Sequence, residues 1–169
     1  MAPLDLPARV EAVFHEFRTC ELSTFAKDGT PVTWPVSALY QQPEGRFLIT
    51  TSIGLPEKAF NIRRDPRVSL LFSDPTASGL DDPPAVLIQG DAEAPDEFVT
   101  GTDEFEEMAR LLFPRQPAAE AYSSNWLMRR LFGWYYVRLA IRVTPHRILW
   151  WDRGDFTGVP QEKRASDVG

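Results

Sequence analysis

Leu6, Val10, Val13, Phe14 and Phe17 recur at steps of three and four residues. That spacing puts them on one face and predicts an amphipathic helix over 5–18, with Asp5 as its N-cap and Pro7 in its first turn. The pattern then turns β-prone. Cys20–Ala26 and Pro31–Tyr40 flank Lys27-Asp28-Gly29-Thr30, and Asp-Gly is a strong hairpin signal, so two paired strands are predicted. Arg46–Ser52 predicts a third strand. Pro56 suits the first position of a short helix that Asp65-Pro66 ends. Arg67–Phe72 and Ala85–Ala92 read as further strands, separated by Ser73–Pro84, a polar loop long enough to be a candidate for function.

Residues 96–113 predict a helix with Phe98, Phe105, Met108, Leu111 and Leu112 as its apolar stripe, weakened at Thr100-Gly101-Thr102. Pro114–Pro117 breaks the chain, Ala118–Phe132 reads as another helix, and Tyr135–Val143 and Arg147–Trp151 close the domain as two strands around Thr144-Pro145. Strands that follow one another through tight turns point to an antiparallel sheet rather than βαβ units. The expected fold is therefore mainly β with flanking helices (α+β), a six- to seven-stranded antiparallel barrel forming one domain over 1–155, with a helical insertion at 96–133. Residues 156–169 are expected to form a flexible tail.

Composition narrows the function. The 169 residues carry a formal charge of −6, which argues against a protein built to grip nucleic acid or an anionic membrane surface. No run approaches the roughly 20 apolar residues of a bilayer span, and the first twenty residues lack a signal-type apolar run, so a cytoplasmic protein is expected. The single cysteine, Cys20, excludes an intrachain disulfide and a cysteine-built zinc site; two histidines, His15 and His146, are too few for a histidine-rich metal centre. No nucleophile elbow, P-loop or dinucleotide fingerprint is present.

The informative stretch is Thr50-Thr51-Ser52, followed by Gly54 and the short helix carrying Lys58 and Asn61. A strand end rich in hydroxyls, a glycine and a helix N-terminus offer backbone N–H groups and a favourable dipole to an anion. Lys58 adds a full positive charge in the first turn, and Asn61 shares its helix face. Ordinary strand-to-helix punctuation would use the same residue types. Glu57 weighs against a phosphate unless it points to solvent.

The stretch "LITTSIGLPEKAFNIRRDPRVSLLF" (48–72), followed by "PPAVLIQGDAEA" (83–94), resembles the pyridoxamine 5'-phosphate oxidase-like, FMN-binding split-barrel superfamily, in particular its flavin/deazaflavin oxidoreductase branch. "CELSTFAKDGTPVTWPVSALY" (20–40) is similar to that family's first hairpin and "YVRLAIRVTPHRILWW" (136–151) to its closing strands. The resemblance implies a split barrel working as a homodimer with cofactor at the subunit interface. It implies that Thr50, Thr51, Ser52 and Lys58 hold the cofactor phosphate and that Asn61 lines the same pocket. Val36 and Ser37 would lie along the ring system, and Trp151 would border the pocket from the other subunit.

Oxidase members of the family carry an arginine where Glu57 stands, basic residues where Thr33 and Ala38 stand, and an Arg-x-His motif where Arg153-Gly154-Asp155 stands. Pyridoxamine phosphate oxidation is therefore not expected. The expectation is an oxidoreductase that transfers hydride between a bound cofactor and a small organic substrate. FMN and an 8-hydroxy-5-deazaflavin of the F-420 type are rival cofactors, with Arg63, Arg64, Arg129 and Arg130 as candidates for the deazaflavin's anionic tail. A non-catalytic protein holding flavin, deazaflavin or haem is the alternative.

Overall fold

A computed structural model describes residues 5–112 and 137–165. In chain order the elements are α1 (Ala8–Glu16), β1 (Cys20–Phe25), β2 (Pro31–Val36), β3 (Ala38–Gln41), β4 (Arg46–Ser52), α2 (Glu57–Arg64), β5 (Arg67–Phe72), β6 (Ala85–Glu93), α3 (Asp103–Leu112), β7 (Arg138–Trp151), a short 3-10 turn (Asp152–Gly154) and β8 (Gln161–Arg164). All the strand ladders are antiparallel, and the sheet runs β2-β1-β5-β6-β7-β4-β3, with β8 paired to β7.

The two ends of that path, β2 and β3, are separated in sequence by Ser37 alone. One residue spans at most about 3.6 Å, so the sheet must curl until its edges meet, although no ladder joins them. This makes a split barrel. Ser37 Oγ donates to Arg18 O at 3.0 Å and ties the corner to the start of β1. The expected continuous strand Pro31–Tyr40 is thus divided at Ser37.

Inward-facing residues alternate with outward ones along each strand. Leu22, Leu70, Ile88 and Ile148 lie opposite one another across four neighbouring strands and are all fully buried. Helix α1 adds Val10, Val13 and Phe14 to the same core. The Phe14 ring meets Phe47 at 4.9 Å and Tyr40 at 5.1 Å in edge-on contacts, a geometry aromatic quadrupoles favour. A smaller outer core forms where Met108 and Phe105 of α3 pack with Leu39, Leu48 and Ala140.

Several boundaries differ from expectation. Helix α1 starts at Ala8, with Pro7 rather than Asp5 at its N-cap, and Pro56 is likewise the N-cap of α2 rather than its first helical residue. Helix α3 starts only after Gly101 (φ +82°), while Phe98 is exposed and bridges to Leu139. The two expected closing strands are one, β7, because a bulge on β7, where His146 is left unpaired between Arg147 (opposite Gln89) and Pro145 (opposite Gly90), absorbs the irregularity at Thr144-Pro145. Part of the expected tail instead forms β8, held by the Arg147–Glu162 ion pair at 2.7 Å. The expected helix Ala118–Phe132 lies outside the described residues.

Candidate functional site

The Thr50-Thr51-Ser52 hydroxyls do not form one cluster. Thr51 pairs with Leu139 and faces the main core, whereas Thr50 pairs with Ala140 on the opposite face, beneath α3. Ser52, opposite Arg138, shares the face of Thr50. Period-two alternation requires this division. Two of the hydroxyls organise the loop beyond: Thr51 Oγ1 donates to Leu55 O at 2.9 Å, and Ser52 Oγ accepts from Gly54 N at 3.2 Å. Ile53 N donates to Val137 O and Leu55 N to Ser52 O, so the loop amides of 53–55 all have acceptors inside the protein.

The N–H groups of this corner that lack helical acceptors lie one step later, in α2. Glu57, Lys58 and Ala59 occupy the first turn, where N–H groups lack i−4 acceptors, and Pro56 provides no side-chain cap. Lys58 is half-buried, and its Nζ sits 5.1 Å from the centre of the Trp34 ring, within cation–π range. Burial lowers the Lys58 pKa below the ordinary lysine value; Glu57 opposes that shift and the nearby Arg138 charge adds to it. Glu57 itself is exposed.

Trp34 is half-buried on β2 opposite Leu22, so its ring lies on the inward side of the sheet with Val32 and Val36. Val36 packs against the main core. Asn61, three residues after Lys58, is 2% exposed; its Nδ2 donates to Thr24 Oγ1 at 3.0 Å and its Oδ1 accepts from Arg64. Lys58 and Asn61 therefore bind α2 to both strands of the first hairpin. Sequence reasoning passed over Trp34 and Arg138. The alternation Val32-Trp34-Val36 was a usable signal for Trp34, whereas the pairing of Arg138 with Ser52 is long-range.

Trp151 lies at the other end of β7 from Arg138, opposite Ala85, with its ring 5.1 Å from that of Phe156. Thirteen residues of strand amount to roughly 43 Å of contour at about 3.3 Å per residue. Arg63 spends its guanidinium on Ala94 O and Asp96, and Arg64 on Asn61. Arg129 and Arg130 lie outside the described residues.

Two large hollows have walls that do not include Lys58. One, about 700 Å³, lies on the outer sheet face along Ser23, Ser69, Gln89, Arg147 and Arg164, which stand in register across five strands. Its arginines meet carboxylates, Arg147 and Arg164 at Glu162 and Arg67 at Asp65, and Asp91 adds a further carboxylate beside His146. That balance suits a neutral ligand or surface better than a phosphate. The other, about 630 Å³, is an open hollow between α2 and the Asp28 turn, lined by Glu57, Phe60, Asn61 and Arg64. Among the described residues no His, Cys, Asp and Glu group could hold a metal ion, and no helix is long and apolar enough to cross a membrane.

A curled antiparallel sheet with α2 packed over its first hairpin and a cation at the strand–helix corner defines the split-barrel class. The family model for pyridoxamine 5'-phosphate oxidase matches residues 6–153, and the chain belongs to that family. No curated protein matches the chain. Among solved structures it is similar to the conserved hypothetical protein Rv2991 from Mycobacterium tuberculosis (22% identity over 100% of this chain and 98% of that one, TM-score 0.59). It is also similar to a heme binding protein from Mycobacterium smegmatis (19%, 95% of this chain and 60% of that one, TM-score 0.57). An F-420 reductase matches at 16% identity over 85% of this chain and 98% of that one, with a TM-score of 0.54. At these identities the likeness is one of fold.

Proposed function

We propose that this protein is an oxidoreductase that holds a flavin-type cofactor by its phosphate and serves hydride transfer to or from a small organic substrate. The observation that carries this reading is Lys58: a half-buried cation at the uncapped first turn of α2, close to the charge of Arg138. Such a corner suits a phosphate, because helix-terminal amides and an ammonium carried on the same turn both favour an anion. The exposure of Glu57 leaves it hydrated and reduces its opposition to a bound anion.

When bound, FMN or an F-420-type deazaflavin supplies the hydride chemistry. The chain's own residues bind and orient. Lys58 and the α2 amides fix the anion, Thr51 and Ser52 hold the loop that aims α2, and Val36 with Trp34 offers an apolar wall. A homodimer would bring Trp151 to the pocket edge across the subunit interface, and the protein would work in the cytoplasm. Arg63 and Arg64, expected to hold a deazaflavin tail, are engaged elsewhere, which favours FMN.

The test is spectral. FMN and F-420 are titrated separately into purified protein, and quenching of cofactor fluorescence is followed. Micromolar or tighter binding of one supports the reading, and turnover against enones, quinones and imines assigns activity; no binding of either defeats it. The likeness to a heme binding protein favours a second reading, a non-catalytic haem holder ligated by His15 or His146. His146 Nε2 lies 3.3 Å from Asp91 Oδ2, and His15 is exposed. A Soret shift on haem titration, abolished by His15→Ala or His146→Ala, would establish it.

A further inference from the structure

Trp34 faces inward on β2 from a half-buried position, with the Lys58 ammonium over its ring at 5.1 Å. An indole so placed presents a broad flat surface, but a cation covers it, and a cation over an aromatic face excludes a second ring from that face. Lys58 also belongs to the first turn of α2, so an anion at that turn's N–H groups would draw its ammonium away from the indole. One lysine therefore has two mutually exclusive partners, an indole within the protein and an anion outside it.

We propose that the Lys58–Trp34 contact is a resting clasp that selects ligands carrying both a phosphate and a flat aromatic ring. The inference rests on the cofactor reading above and adds Trp34 to it as a binding residue. The phosphate draws Lys58 toward α2 and uncovers the indole; the ring then stacks on the uncovered face. A ring without a phosphate must displace the ammonium uncompensated, and a phosphate without a ring leaves the uncovered indole facing water. Neither half alone repays the opening of the clasp, so selection falls on the conjugate.

The experiment compares each cofactor with its phosphate-free form: FMN with riboflavin, and F-420 with its 8-hydroxy-5-deazaflavin chromophore. Dissociation constants are measured by fluorescence quenching for the wild type, Lys58→Met, Trp34→Leu and the double variant. Lys58→Met is expected to weaken the phosphate-bearing ligand about tenfold. It should also tighten the phosphate-free one by roughly two- to tenfold, the worth of the released cation–π contact. The tightening should vanish in the Trp34→Leu background, and Trp34→Phe, which keeps a smaller ring, should retain part of it if Trp34→Leu does not fold. If the phosphate-bearing cofactor binds the wild type but Lys58→Met leaves the phosphate-free form unchanged or weaker, the clasp is wrong and the cofactor reading survives. If no phosphate-bearing cofactor binds the wild type, both are overturned.

Discussion

Replacing Asn61 tests whether its side chain serves the fold or the ligand. Asn61 and Thr24 are 2% and 1% exposed, and one 3.0 Å hydrogen bond joins them across the α2–β1 contact. Asn61→Ala strands the Thr24 hydroxyl in a place water cannot reach, at a cost of about 1–3 kcal/mol. Arg64, which also loses an acceptor, is exposed and recovers water. Better helix propensity at an alanine returns up to about 0.7 kcal/mol, leaving a net loss of about 1–2 kcal/mol. For a chain of this size that is a fall of roughly 2–8 °C in Tm. Thr24→Val should cost a similar amount, because it orphans the Asn61 amide instead. Asn61→Ala with Thr24→Val removes both polar partners, so its stability should lie well above what the summed single losses predict, with a coupling of about 1–2 kcal/mol. Urea unfolding followed by tryptophan fluorescence gives all four stabilities, and FMN titration of the same variants gives the affinities. If Asn61 acts through the seat of α2, affinity and stability recover together in the double variant. If stability recovers while affinity stays low, Asn61 touches the ligand directly. Additive single losses would refute the structural argument.

Other predictions follow from single contacts. A Cβ on Gly90 would lie 2.2 Å from Thr144 O and 3.1 Å from Pro145 Cα, all backbone, so Gly90→Ala should cost about 3 kcal/mol or more in urea unfolding. Gly29→Ala meets nothing within 4 Å and pays only for its φ of +84°, about 1–2 kcal/mol; equal losses at the two sites would count against the steric account. Glu104 accepts from Arg142 at 2.8 Å and Gln41 at 3.1 Å, so Glu104→Gln should cost about 1–2 kcal/mol and raise hydrogen exchange in α3. Burial pushes the Glu104 pKa up, but the Arg142 and Gln41 hydrogen bonds outweigh it and hold it below 4.5. Its stabilisation is therefore present above that value and lost as pH falls through the lower folded one, a loss the glutamine variant should not show. Lys58 behaves oppositely: its folded pKa is below 10.5, so relative to Lys58→Met the wild type should gain stability as pH rises from the folded value toward 10.5. Over the same rise FMN affinity should fall, because the anion needs the protonated amine.

What the sequence made legible was mostly local. The Asp28-Gly29 turn, the α2 segment between Pro56 and Asp65-Pro66, and the buried strand at Arg67–Phe72 all follow from residue chemistry within a few positions. Cys20 is buried, and burial raises its thiol pKa, as a structural cysteine requires. Pro145 misled because a proline has no N–H to give a ladder; its place within β7 depends on Gly90, 55 positions earlier, lacking a Cβ. The three hydroxyls of 50–52 misled for a different reason. Treating them as one cradle ignored the strand alternation that the same sequence predicts. The Lys58–Trp34 contact was beyond local pattern, since it requires β2 to pair with β1 and α2 to fold back over both.

The position of Lys58 makes sense as a balance between opposed forces rather than as a stable ion pair. Burial and Arg138 both disfavour its charge, whereas the exposed carboxylate of Glu57 and the indole face of Trp34 favour it. A surface lysine in full solvent would lose hydration on meeting a phosphate and gain little. A half-desolvated lysine has already lost part of that hydration on folding, so the Coulombic gain on meeting an anion is less offset. On the proposed reading, the Trp34 face offsets part of the cost of this half-desolvated charge, and a bound anion would offset more. Asn61 and Thr24 fasten the same helix, α2, to β1 through a buried hydrogen bond, independently of what Lys58 meets.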